Sequence, residues 1–145
     1  MRPGVSGLAS RGGEAEPNAP RTAFAGCRVL VVEDEYFIAD DIAHALSTLG
    51  AEVVGPVPTR ADALACLGDS SGEGRIDAAV LDINLRGETC FPVADALATR
   101  GVPFVFATGY DQEMVPGAYG HVPRWEKPFD PEALVRALPG LLRKG

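Results

Sequence analysis

The sequence predicts an α/β fold, an open, doubly wound parallel sheet built from five successive βα units. Two observations predict it. Short, wholly apolar segments, as expected when both faces of a sheet are covered, alternate with stretches whose apolar residues recur at helical spacing. The apolar segments also run into polar residues that suit a single site: Glu33-Asp34, then Asp82, then Thr108, then Lys127.

Residues 1–25 are rich in Gly, Pro, Ser and Arg and lack any hydrophobic period, so a disordered tail is expected there, with the folded unit spanning 26–145. Val29 to Val32 form a first strand. Tyr36 to Leu49 form a helix whose Ile38, Ile42, Ala45, Leu46 and Leu49 share a face, with Gly50 as its stop signal. Glu52 to Val54 read as a second strand, and Thr59 as the N-cap of a helix carrying Ala63, Leu64 and Leu67. The loop Gly68 to Arg75 leads into a third strand, Asp77 to Leu81. Pro92 suits the first turn of a third helix running to about Thr99. After Gly101, Pro103 to Ala107 make a fourth strand. Residues 111–120 are a weak helix at best, interrupted by Pro116, Gly117 and Gly120. A brief fifth strand lies near Val122 to Trp125. Asp130-Pro131 then cap a helix striped by Leu134, Val135, Leu138, Leu141 and Leu142.

Composition narrows the function classes. The 145 residues suit one domain, 46% of them hydrophobic and 23% charged. No apolar run approaches the roughly 20 residues that span a bilayer, and the amino terminus lacks a secretory core, so no membrane role and a cytoplasmic address are expected. A net charge of −7 without Lys/Arg clusters argues against a nucleic-acid surface. Cys27, Cys66 and Cys90 are widely spaced and read as free thiols; His44 and His121 read as surface or packing residues.

In sheets of this kind ligands bind beyond the carboxyl ends of the strands, and the flavodoxin-like order 2-1-3-4-5 sets strands one and three side by side. Neighbouring strands lie about 4.8 Å apart, so Asp34 and Asp82 can share one ion. Oxygen ligands and crowded anionic charge favour Mg²⁺, with Glu33 acting through a bound water. Lys127 lies two strands from Asp82, roughly 10 Å, a gap its stem can largely cover. Thr108 offers a hydroxyl to a phosphoryl oxygen. Asp82 is the nucleophile, and a carboxylate needs no base to activate it. Mg²⁺, the Thr108 hydroxyl and the Lys127 ammonium would then neutralise the oxygens of a phosphoryl group in transfer.

The stretches Val-Leu-Val-Val-Glu33-Asp34-Glu35, Leu-Asp82-Ile-Asn84-Leu, Ala-Thr108-Gly and Lys127-Pro128-Phe129 resemble, in order and spacing, the signature of two-component receiver domains, from about Cys27 to the carboxyl terminus. The resemblance implies that Asp82 accepts phosphoryl from a phosphohistidine of a sensor histidine kinase or histidine phosphotransfer protein. It also implies that Glu33, Asp34, Asp82 and the Asn84 backbone carbonyl hold Mg²⁺, and that the Lys127-Pro128 bond is cis. Pro103-Phe104-Val105-Phe106-Ala107-Thr108-Gly109-Tyr110 is similar to the PFxFATGY stretch of the FATGUY group of single-domain receivers. Ordinary receivers carry Tyr or Phe three residues before the lysine, and this chain has Arg124 there. Tyr110 or the loop after it is the expected substitute, since Trp125 has the wrong strand parity. Tyr36 and Phe37, at the start of the first helix, are either core or a docking point for a partner.

The leading expectation is a stand-alone response regulator that acts by phosphorylation-dependent protein binding or as a phosphoryl shuttle or sink. After the last helix only Arg143-Lys144-Gly145 remain, so no output domain is expected. Two alternatives differ in class. Asp82-Ile-Asn84 superficially resembles the nucleophile motif of haloacid dehalogenase-like phosphatases, although Asn84 cannot serve as their acid/base. A phosphorylation-independent adaptor would keep the surface and not need the acceptor set.

Overall fold

The computed structural model describes residues 24–68, 75–109 and 115–144. In chain order the elements are β1 (Arg28–Val32), α1 (Tyr36–Thr48), β2 (Glu52–Val57), α2 (Arg60–Cys66) and β3 (Ala78–Asp82). A small hairpin follows, β4 (Asn84–Leu85) and β5 (Glu88–Thr89), then α3 (Phe91–Thr99) and β6 (Phe104–Thr108). A 3-10 turn (Gly117–Tyr119), β7 (Arg124–Glu126) and α4 (Pro131–Lys144) complete the chain. The main sheet is parallel throughout, in the order β2-β1-β3-β6-β7. That is the expected 2-1-3-4-5 order, with a hairpin inserted after the third strand.

Period-two alternation along the central strands builds two core layers. Val29, Val31, Val80 and Val105 pack with Ile42 and Leu46 of α1 and Leu134 and Leu138 of α4. Leu30, Val32, Leu81, Phe104 and Phe106 turn to the opposite face, against Ala63 and Leu67 at α2 and Val93 and Leu97 of α3. Covering both faces is why these strands read as unbroken apolar runs. Helix ends follow local chemistry: Thr59 Oγ1 accepts the Asp62 N–H, and Asp130 Oδ1 accepts the Glu132 N–H, so both expected caps are in place.

Several boundaries differ from the expectation. The packed chain reaches back to Phe24, which is buried against the α1/α4 layer and donates its N–H to the Leu49 carbonyl. Residues 1–23, the rest of the expected tail, lie outside the described residues. β2 continues to Val57 and rejoins β1 after a register shift, with Gly55 at φ +96° in the irregular stretch and the Gly55-Pro56 bond cis. A Cβ at Gly55 would stand 2.7 Å from Val57 N and 3.0 Å from Val31 O, so glycine is needed there. β7 begins two residues later than expected. Of the doubtful helix at 111–120, residues 115–120 hold the 3-10 turn, and 111–114 are outside the described residues, as is the loop 69–74. The hairpin was not expected. No helix among the described residues is long and apolar enough to cross a membrane.

Candidate functional site

Parallel strands finish on one edge, so β1, β3, β6 and β7 deliver Glu33-Asp34, Asp82, Thr108 and Lys127 to the same place. Lys127 donates its backbone N–H to the Thr108 carbonyl at 2.7 Å, and the Lys127-Pro128 bond is cis. The lysine stem folds back over the sheet edge. Its Nζ lies 2.9 Å from Glu33 Oε2, 3.1 Å from Glu35 Oε2 and 3.2 Å from Asp82 Oδ2. Asp82 also accepts the Asn84 N–H on Oδ1 at 3.2 Å. Asp34 accepts the Arg86 N–H on Oδ2 at 3.1 Å, and Glu33 Oε2 accepts the Glu35 N–H at 3.0 Å. Thr108, 2% exposed, donates its hydroxyl to the Gly109 carbonyl at 3.2 Å. The structure therefore brings all four strand-end positions together.

Charge at this edge is unbalanced. Glu33, Glu35 and Asp82 share one ammonium, Asp34 stands beside them without it, and Glu33 and Asp82 are each only 3% exposed. Burial, reinforced by the charge and hydrogen bond of Glu33, pushes the Asp82 carboxyl up to about 8. Lys127 pulls it the other way without prevailing. Burial works against the Lys127 ammonium, yet the hydrogen bonds and charges of Glu33, Asp82 and Glu35 outweigh it and raise its pKa above the ordinary lysine value.

The donor set fits a hard divalent cation. Glu33 Oε1 is buried and has no hydrogen-bond partner, a costly state for a carboxylate oxygen that a cation would relieve. One oxygen each from Glu33, Asp34 and Glu35 lie within 4.8 Å of one another. All-oxygen ligands of high negative charge are the chemistry of Mg²⁺ and Ca²⁺. Glu35 was not among the ligands expected from sequence, although it completes the run Glu33-Asp34-Glu35.

No family model matches the chain. Among solved structures it is similar to SdrG from Sphingomonas melonis Fr1, at 45% identity and a TM-score of 0.67, covering 80% of this chain and 96% of that one. The BeF3-activated conformation of SdrG from Pseudomonas melonis Fr1 matches at 43% identity and a TM-score of 0.62, covering 81% of this chain and 98% of that one. Among curated proteins, the sensory transduction protein LytT of Bacillus subtilis (strain 168) is 31% identical over 114 residues, 77% of this chain. The phyllosphere-induced regulator PhyR of Methylorubrum extorquens is 34% identical over 91 residues, 61% of this chain. The chain belongs to the response regulator receiver domains.

The chain spans only 46% of LytT and 33% of PhyR, so the relationship to those proteins is that of a receiver to part of a longer regulator. In this receiver Arg124 is exposed on the edge strand β7. Trp125 points to the opposite layer and meets Phe129 edge to face, as strand parity requires. Tyr110 lies outside the described residues. The aromatic ring that the sequence reading missed is Tyr119. It is 8% exposed, stacks on Phe91 at 6.3 Å, and meets Phe104 and Phe106 edge to face. Its hydroxyl donates to Asp95 of α3. Burial, with Asp95 adding to it, pushes the Tyr119 phenol up to about 12.

Tyr36 and Phe37 are not core: they stand 74% and 80% exposed beside the site. Cys27, Cys66 and Cys90 are free thiols. Burial, then the charge of Asp82, raises Cys90 to about 12, which keeps it protonated and inert. His44 and His121 are exposed. Asn84 Oδ1 accepts the Gly87 N–H, so its side chain closes a turn and has no acid/base part.

Proposed function

We propose that this receiver takes a phosphoryl group on Asp82 from a phosphohistidine of a sensor histidine kinase or a histidine phosphotransfer protein. It then signals through phosphorylation-dependent protein binding, or serves as a phosphoryl shuttle or sink. The observation that carries the reading is the Asp82 carboxylate held at 3.2 Å by the Lys127 ammonium, beside an acidic cluster containing a buried, unpaired carboxylate oxygen. The solved BeF3-activated conformation of SdrG supports it, because BeF3⁻ is a tetrahedral stand-in for a phosphoryl group.

In the transfer, an Asp82 carboxylate oxygen attacks phosphorus as the N–P bond breaks, and the electron pair stays on the imidazole nitrogen. Lys127, already charged, balances the negative charge on the phosphoryl oxygens. Thr108 breaks its bond to the Gly109 carbonyl and turns its hydroxyl to one of those oxygens. Glu33, Asp34, Asp82 and the Asn84 carbonyl, with Glu35 nearby, are the groups that would hold Mg²⁺. Bound there, Mg²⁺ supplies the positive charge that keeps Asp82 ionised and offsets the incoming phosphoryl group. The chain catalyses only its own phosphorylation and dephosphorylation.

Incubation with Mg²⁺ and acetyl phosphate, or with phosphorylated kinases, read by intact mass, tests the reading. One phosphoryl group per chain is expected in the wild type and none in Asp82→Asn. Uptake that survives Asp82→Asn, or turnover of small phosphoesters, would overturn it.

A further inference from the structure

Between Asp82 and α3 the chain inserts the β4–β5 hairpin, closed by the two residues Arg86 and Gly87. Both have left-handed φ, +54° and +89°, the sign pattern of a type I′ turn, and Arg86 is the sole non-glycine residue with positive φ among those described. Three sets of bonds tie this hairpin down. Asn84 donates its N–H to Asp82 Oδ1 and accepts the Gly87 N–H on its own side chain. On the far side Arg60 of α2 donates to the Thr89 carbonyl at 3.2 Å and pairs with Glu88 at 3.4 Å. From the turn itself, the Arg86 N–H reaches Asp34 Oδ2 at 3.1 Å, across 52 positions of sequence.

Asp34 needs such a partner. It is half-buried, with carboxylate oxygens of Glu33 and Glu35 within 4.8 Å of its own, and repulsion from those two charges favours swinging its side chain out to solvent. Lys127 bonds Glu33, Glu35 and Asp82 and is not within bonding distance of Asp34. A main-chain N–H suits the task better than a second cationic side chain would. It holds one oxygen of the carboxylate without neutralising the charge that attracts a cation, and a ligand already fixed loses less conformational entropy on binding.

We propose that the strained Arg86–Gly87 turn is the positioning element for Asp34, presenting the main-chain N–H that fixes one carboxylate oxygen and leaves the other for the cation. This rests on the reading of Asp34 as a cation ligand. Arg86 acts through Asp34 and touches no reacting atom. The left-handed turn is the price of aiming that N–H across the mouth of the site.

Calorimetric Mg²⁺ titration of the full chain tests it with two substitutions at one position. Arg86→Gly and Arg86→Val both delete the guanidinium and keep the N–H, and differ chiefly in their tolerance of φ +54°. The Gly variant should bind Mg²⁺ at least as tightly as wild type and the Val variant about tenfold more weakly, the usual loss when a ligand's supporting hydrogen bond goes. The backbone amide resonance of residue 86 should keep its hydrogen-bonded, downfield position in the Gly variant and lose it in the Val variant. Asn84→Ala, which opens the turn from its other side, should weaken Mg²⁺ binding in the same sense. If wild type binds Mg²⁺ and the Gly and Val variants bind it equally, strongly or weakly, the positioning role is wrong and the cation site stands. If wild type binds no Mg²⁺, both fall.

Discussion

The two ends of the main sheet carry the same kinds of charge in opposite states. At the amino-terminal end, among the described residues, Arg28 pairs with Glu52 at 2.6 Å and Arg75 pairs with Asp77 at 2.9 Å, one cation to one anion in each pair. The backbone N–H of Arg28 also bonds Asp77, at 2.9 Å. Each pair keeps one partner in water, Glu52 at 66% and Arg75 at 62% exposed, against 26% for Arg28 and 24% for Asp77. At the carboxyl-terminal end, among the described residues, three carboxylates share one lysine with a fourth, Asp34, close by, and the Glu33 and Asp82 side chains are only 1% and 4% exposed. Both ends have close ion pairs, so ion pairs alone do not mark function. Uncompensated charge out of water does, because folding retains it only against a cost.

Lys127→Ala should produce the largest effect that separates the two ends. It leaves Glu33, Glu35 and Asp82 without their shared cation. Removing one member of a buried ionic group costs about 3–5 kcal/mol. Loss of one electrostatic stabiliser slows phosphoryl uptake by about a hundredfold. Chemical denaturation and acetyl phosphate kinetics measure the two separately. Saturating Mg²⁺ should restore much of the stability and little of the rate. Near-normal uptake by this variant would show that the lysine only balances charge.

The asymmetry was legible in the sequence because it depends on where strands end. Apolar runs ending in Val32, Leu81, Ala107 and Trp125 locate the sheet edge, and parallel topology does the rest. The Thr59 cap and the stripe Leu134, Val135, Leu138 were readable for similarly local reasons. The hairpin was not. Strands of two residues have no measurable period, and Arg86 at positive φ gives no glycine signal, although Gly87 after it is a weak turn mark. Tyr119 sits in a Pro/Gly-rich stretch whose composition argues for a loop, and its burial comes from Phe91, Phe104 and Phe106 on other elements. Lys127 could be placed near Asp82 by strand spacing, but its simultaneous bonds to Glu33 and Glu35 depend on side-chain paths that spacing does not encode.

A pH series on protein freed of metal by chelation sharpens the contrast. The folded-state pKa of Asp82, about 8, lies above its ordinary value of 3.8, so the folded chain holds that proton more tightly than the unfolded one. The resulting stability is fully present below about 4 and is lost as pH rises through 8. The melting temperature of the metal-free protein should therefore fall between pH 5 and pH 8, by an amount that Asp82→Asn reduces. Mg²⁺ should flatten the fall, since a cation replaces the proton as the counter-charge. A slope that is identical in Asp82→Asn would assign the effect to other carboxylates.

The smallest effect belongs to the balanced end. Arg28→Ala deletes the pair with Glu52 and the Nε–H bond to the Arg75 carbonyl, and leaves the backbone bond from residue 28 to Asp77 in place. Glu52, freed of its partner, is already mostly in water and needs no replacement. Pairs with one partner mostly in water contribute about 0.2–1 kcal/mol, so denaturation should show a loss near that range, shrinking further in high salt. Mg²⁺ affinity and phosphoryl uptake should not change, because the guanidinium stands at the opposite edge of the sheet. A loss comparable to that of Lys127→Ala would mean that burial and charge imbalance do not separate the two ends. The geometric contrast would then have no energetic counterpart.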